Sequence, residues 1–216
     1  MARFDLVAFD CDGVLVDTEL ITCGVLADML NEVGWQVSLE ETMRLFVGRL
    51  VRDEVPMIKR HATRPVPEDF YLQFVARRNA ALEQGVAPVR NVGAAIETLS
   101  ARGMPFCVVS GADRAKMRLT LGQTGLLRWF EGKLFSGMEV ARTKPAPDVY
   151  LLAAETMGVD PKRCAVVEDT PTGVAAGVAA GMIVFGYAER MAPQALLDAG
   201  AVQVFDDMAQ LPELVL

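Results

Sequence analysis

Histidine is almost missing from this chain: His61 stands alone among 216 residues, between Lys59, Arg60 and Arg64, and reads as a surface residue rather than a ligand. Any catalysis must therefore rest on other groups. Basic residues are outnumbered, 21 Lys and Arg against 28 Asp and Glu, which leaves a net charge of -7 and a pI near 4.8. That balance excludes nucleic acid as a partner, because phosphate backbones are held by clustered Lys and Arg. Small anions are still admitted wherever a few positive charges converge. The four cysteines, Cys11, Cys23, Cys107 and Cys164, show no Cys-x-x-Cys spacing, so a reduced, cytoplasmic location is expected. Arg3 and Asp5 precede a short apolar run ending at Asp10, which leaves no room for a signal peptide. Repeats and low-complexity segments are absent too. The one long uncharged stretch, Thr170 to Ala188, is split by Gly181 into a small-residue segment and the strand-like Met182 to Phe185. It reads as a buried helix feeding a buried strand, and no membrane association is expected. Gly173, Gly177 and Gly181, four apart, are read as a surface for close helix-to-sheet packing.

What the chain does have is apolar mass, 52% of its residues, enough to bury a core for one domain or one domain with an insertion. Short apolar runs recur at Leu6 to Phe9, Phe106 to Val109, Cys164 to Val167, Met182 to Phe185 and Val202 to Phe205. Most lack polar alternation, as expected of strands covered on both faces. Helix-like segments lie among them at Asn91 to Arg102, Asp113 to Gln123, Asp148 to Met157, Thr170 to Ala180 and Ala192 to Ala199. This rhythm predicts an α/β fold with a doubly wound parallel sheet. Asp17 to Gly85 breaks the rhythm with amphipathic helix patterns and no convincing strand. One apolar face runs through Ile21, Val25, Leu26, Met29, Leu30 and Val33 to Gly34. Ser38-Leu39-Glu40-Glu41 has the form of a capping box. A further helix is predicted over Glu68 to Gln84, with Phe70, Phe74, Ala81 and Leu82 inward, and Ala87-Pro88-Val89 as the return hinge. The expected division is a core of residues 1–15 and 88–216 and a helical insertion of residues 16–87.

Four acids fall at ends of the apolar runs. Asp10 and Asp12, two apart after the first run, point the same way if the strand continues, and ligands of open α/β sheets bind beyond strand carboxyl ends. An Asp-Gly turn with solvated carboxylates is the plainer alternative. Glu168 and Asp169 follow another run, and Thr170-Pro171 next to them suits a helix N-cap and first turn. Ser110 and Lys144 sit in comparable loop positions, where each alone could be an ordinary solvated residue. Four acids converging at one rim would raise one another's pKa values unless cations join them, and a Mg2+ together with a Lys would resolve the conflict.

Asp10-x-Asp12-Gly13-Val14, Ser110, Lys144 and Glu168-Asp169, in that order, resemble the four motifs of the haloacid dehalogenase superfamily. The likeness covers nearly the whole chain. Members of the subgroup of β-phosphoglucomutase and phosphoglycolate phosphatase carry a helical cap just after the first motif, where the insertion is predicted here. The resemblance implies a Mg2+-dependent phosphomonoester hydrolase for a small phosphorylated metabolite, such as a sugar phosphate or phosphorylated sugar acid, working as a monomer or weak homodimer. It implies Asp10 as nucleophile, Asp12 as general acid and base, and Ser110, Gly111 and Lys144 as the phosphoryl cradle. Metal ligation would fall to Asp10, Asp12 through its carbonyl, Asp169 and Glu168, with Glu168 alternatively orienting Lys144. Arg49 and Arg52 would reach distal groups of the substrate, or else be exposed helix-end residues. A phosphomutase is the alternative, although β-phosphoglucomutases place a His about where this chain has Thr22. Dehalogenases lack the second acid of the first motif, and response-regulator receivers lack the helical insertion.

Overall fold

A computed structural model describes residues 4–216. In chain order the chain forms β1 (Leu6–Phe9) and β2 (Val16–Asp17), then four helices, α1 (Glu19–Glu32), α2 (Leu39–Phe46), α3 (Val51–His61) and α4 (Phe70–Leu82). There follow β3 (Ala87–Pro88), α5 (Val92–Ala101), β4 (Phe106–Ser110), α6 (Arg114–Gln123), α7 (Leu127–Phe130), β5 (Leu134–Ser136) and α8 (Asp148–Met157). The chain ends with β6 (Cys164–Glu168), α9 (Pro171–Ala179), β7 (Ile183–Tyr187), α10 (Pro193–Asp198), β8 (Gln203–Phe205) and α11 (Leu211–Val215). It divides into two compact units, one built from the described residues up to Asp17 with Ala87–Leu216, the other being Thr18–Val86.

The first unit is an α/β sandwich around a six-stranded sheet of order β5-β4-β1-β6-β7-β8, parallel throughout. Its strands are apolar on both faces because helices cover both, and β1, β4 and β6 are buried along their whole length. Leu6, Ala8, Cys107, Val109, Val166, Tyr150 and Val174 belong to one core cluster against which α8 and α9 pack. Each fully buried Leu or Val among them contributes about 1.5–3 kcal/mol by leaving water. Gly177 explains the close approach of α9, since a Cβ there would lie 2.7 Å from Val184. β1 is the point where the winding reverses, with β4 on one side and β6 on the other, so a crevice is expected beyond its carboxyl end.

A two-stranded antiparallel ladder, Val16 with Pro88 and Asp17 with Ala87, stands where the sequence shows a hinge and no strand. Two-residue strands leave no periodicity to read.

In the second unit α1 buries Cys23, Leu26, Ala27, Met29 and Leu30 and gives way to Gly34 at φ 82°, a left-handed position suited to glycine. The capping box of α2 is complete, with Ser38 accepting from the Glu41 amide and Glu41 accepting from the Ser38 amide. α3 has no counterpart among the predicted elements, since Pro56 inside it argues against a helix in sequence. α4 buries Arg78 rather than Ala81, with the guanidinium 5.8 Å from the Phe74 ring. His61 is exposed and stacks on Trp35 at 4.3 Å. No helix among the described residues is long and apolar enough to cross a membrane.

Candidate active site at the carboxyl rim of the sheet

The strand register gathers the polar residues. Phe9 pairs with Val108 on one side and Val167 on the other, so Asp10, Ser110 and Glu168 all emerge at the carboxyl ends of three neighbouring strands. The Asp10 amide continues the ladder by donating to the Val167 carbonyl at 3.0 Å. Lys144 reaches this rim from the loop before α8. Its three ammonium hydrogens have three acceptors: Asp10 Oδ1 at 2.6 Å, Glu168 Oε1 at 2.6 Å and the Val109 carbonyl at 2.9 Å. The side chains of Lys144, Asp10 and Glu168 are 9, 11 and 1% exposed, so the network is nearly dry.

Tyr150 adds to it from α8, donating to Glu168 Oε1 at 2.8 Å with its ring 4.9 Å from the Lys144 ammonium. Thr170 Oγ1 lies 3.3 Å from the second Glu168 oxygen and also caps α9 by accepting from the Gly173 amide at 3.1 Å. Gly173 cannot carry a side chain, because its Cβ would run into the Glu168 carboxylate. Glu168 is thus surrounded by donors and acts first as the anchor of Lys144. Tyr150 carried no sequence signal beyond its place six residues after Lys144, within a predicted helix.

Burial pushes the Asp10 carboxyl up to about 7; Lys144 pulls against this, and Glu168 and Asp12 add to it. Burial also works against the charge of Lys144, but the facing Asp10 and Glu168 outweigh it and hold the ammonium well above its ordinary value. Burial and the flanking Asp12 and Asp10 push the Cys11 thiol far up, so it stays neutral and is no rival nucleophile.

Carboxylate oxygens of Asp10, Glu168 and Asp169 all lie within 4.8 Å of one another. Asp169 rests against the Asp10–Gly13 turn, where Gly13, at φ 76°, has no space for a Cβ because the Asp169 carboxylate occupies it. An oxygen-only, acidic donor set of this kind fits a hard divalent cation such as Mg2+ and suits softer metals poorly. Of the four acids expected at this rim, Asp10, Glu168 and Asp169 bring carboxylate oxygens together, and Asp12 is near enough to help raise the Asp10 pKa. The Asp12 carboxylate is held by Lys116 of α6, with Nζ 2.8 Å from Oδ1. Its short spacing to Asp10 said nothing of a helix-borne partner more than a hundred residues on.

Ser110 is buried, and its hydroxyl accepts from the Ala112 amide at 3.0 Å. Gly111 lies beside it in a tight crossing of loops, its Cα 3.3 Å from where a Cβ on Gly137 would stand. Arg49 and Arg52 belong to the helical unit. Both are half exposed and paired locally, Arg49 with Glu54 at 3.3 Å and Arg52 with Asp53 at 3.1 Å.

The model of the haloacid dehalogenase-like hydrolases matches residues 4–181. The chain belongs to this family. This haloacid dehalogenase-like hydrolase is 32% identical over 218 residues to 6-phosphogluconate phosphatase of Escherichia coli strain K12, covering 99% of its own length and 96% of the relative's. Among solved structures it is similar to a conserved haloacid dehalogenase-like protein of unknown function from Agrobacterium tumefaciens strain C58. That pair has a TM-score of 0.86 and 32% identity, with 98 and 97% of the two chains covered. A haloacid dehalogenase family hydrolase from Deinococcus radiodurans R1, solved with bound phosphate and sodium, gives a TM-score of 0.80 at 34% identity, over 98 and 94% of the chains.

Proposed function

We propose that this hydrolase is a Mg2+-dependent phosphatase of small phosphorylated metabolites, a sugar phosphate or a phosphorylated sugar acid, acting through an aspartyl-phosphate on Asp10. The observation that carries this is the dry Lys144–Asp10–Glu168 network at the end of the central strand, with Asp169 close enough to share a cation with Asp10. A phosphatase relative that is similar over nearly the full length of both chains supports the substrate class.

Asp10, Asp169 and the Asp12 carbonyl would hold Mg2+, with Glu168 behind them. When bound, the ion would offset the clustered negative charge and help orient the phosphoryl group. An oxygen of Asp10 attacks phosphorus while the bond from phosphorus to the leaving alcohol oxygen breaks, and Asp12 gives that oxygen a proton. Asp12 then takes a proton from water, whose oxygen attacks phosphorus, and the acyl-phosphate bond opens to free Asp10 and inorganic phosphate. Lys144 and Ser110, with the Gly111 amide, receive the phosphoryl oxygens in an environment already ordered for negative charge. Arg49 and Arg52 would contact the distal end of the substrate.

Purified protein mixed with a panel of phosphorylated sugars and sugar acids should release inorganic phosphate with Mg2+ and stop on addition of EDTA. Asp10→Asn should be inactive, and acid quench of the wild type should trap phosphate on Asp10. Full activity of Asp10→Asn would refute the covalent role. Turnover that needs a sugar bisphosphate and releases no phosphate would mean a mutase instead.

A further inference from the structure

Lys116 is buried, 6% exposed, at the third position of α6. Both facts are unusual for an ammonium. A helix N-terminus favours acids over bases, and a buried charge has to be matched by a partner. The partner is Asp12, the acid of the first motif that stands apart from the Lys144 network.

Each end of the pair is mounted on fixed backbone. Asp113 caps α6 by accepting from the Lys116 amide at 2.8 Å. Asp12 lies in a closed turn in which the Gly13 amide donates to Val16, and the Leu15 and Val16 amides both donate to Cys11, at 2.9–3.1 Å. Thr120, on the same face one turn after Lys116, lies beside Cys11, its hydroxyl donating to the Lys116 carbonyl at 3.1 Å. One face of α6 is therefore docked along the segment that carries both aspartates of the motif.

We propose that Lys116 is a positioning residue for proton transfer, its ammonium holding Oδ1 of Asp12 so that the carboxyl keeps the orientation that serves the leaving oxygen. This rests on the acid–base reading of Asp12 above. The first half-reaction starts from the form with a proton on Asp12: the bond from phosphorus to the leaving oxygen breaks, the bond to Asp10 forms, and that proton passes to the leaving oxygen. Lys116 keeps its own protons and faces the carboxylate that results.

The test compares kcat/KM for glycerol 2-phosphate, whose alkoxide needs a proton to leave, with that for 2,4-dinitrophenyl phosphate, whose phenolate does not. This parameter covers the steps through aspartyl-phosphate formation. Lys116→Met should lose on the order of tenfold more on the alkyl ester than on the aryl ester, and Lys116→Arg should recover most of the loss. Asp12→Asn should show the same bias more strongly, about 100-fold or more for a general acid. The double variant should be no worse than Asp12→Asn alone, as expected of residues acting as one unit. Equal losses on both esters in Lys116→Met and Lys116→Gln, while Asp12→Asn still discriminates, would overturn the role of Lys116 and leave the reaction as proposed. An Asp12→Asn enzyme that does not discriminate would overturn the acid–base reading, and this inference with it.

Discussion

Ion pairs in the sheet unit and in the helical unit can have the same length, 2.6 Å for Lys144–Asp10 and for Arg77–Glu32, yet they stand in opposite surroundings. The first pair is nearly dry, and its lysine also serves Glu168 and a strand carbonyl. The second has side chains 44 and 54% exposed, like the Arg52–Asp53 and Lys59–Glu68 pairs of the same unit. Buried charges are stabilising only as a complete set, because removing one member leaves another without solvent or partner. Exposed pairs are screened, and holding two long side chains together costs entropy. Contact distance therefore does not say which charges matter, and dryness does. The sheet unit holds the lysines of its Lys144 and Lys116 pairs nearly dry.

The contrast can be broken at its strongest point. Lys144→Ala should lower kcat/KM by about 10²–10³-fold, the loss of one preorganised donor, and should destabilise the fold by about 3–5 kcal/mol as Glu168 loses its counter-charge. Steady-state kinetics and urea unfolding would read both, and wild-type behaviour in both would reduce Lys144 to a loop residue.

A middle-sized effect follows from Asp10. Its folded pKa of about 7 lies above the ordinary 3.8, so between those values the folded chain keeps a proton that the unfolded chain has lost. Stability in EDTA should thus fall as pH rises from about 4 to 7, and level off above. The carboxyls of Asp5 and Asp148 are held below their ordinary values by Arg163 and Arg142; their contribution is lost only as pH falls below that range, so it does not mask the trend. Mg2+ at a hundred times its dissociation constant should add back about 2.7 kcal/mol at pH 8. A rising slope in EDTA, or no response to Mg2+, would mean the carboxylates do not share a strained, metal-hungry site. The smallest effect belongs to the helical unit: Arg77→Ala should change stability by no more than about 1 kcal/mol, and less in high salt, in thermal melts. A loss comparable to that of Lys144→Ala would erase the distinction.

Much of the sheet was legible because its strands are continuous apolar runs: Phe106 to Val109 and Cys164 to Val167 each fall one residue short of the observed strand. β5, three residues ending in Ser136, is too short to stand out. Asp10, Glu168 and Asp169 could be singled out because strand ends are where charge has a use, and Lys144 because clustered acids need a cation beside them. Their helix-borne partners could not. Tyr150 on Glu168 and Lys116 on Asp12 depend on which way two helices turn their faces, and one sequence carries no record of that. The same holds for Arg78, whose long stem and charge signal exposure until a phenyl ring covers it.

The ladder of β2 and β3 is small, but it brings Asp17 and Ala87 side by side. About seventy residues therefore leave and rejoin the sheet unit through a single clasp. Closing that long loop costs entropy that grows only with the logarithm of its length. Whatever lies between the clasped ends can be lengthened, shortened or exchanged without shifting the register of β1 against β4 and β6, so the fold separates a constant sheet rim from a part free to diversify.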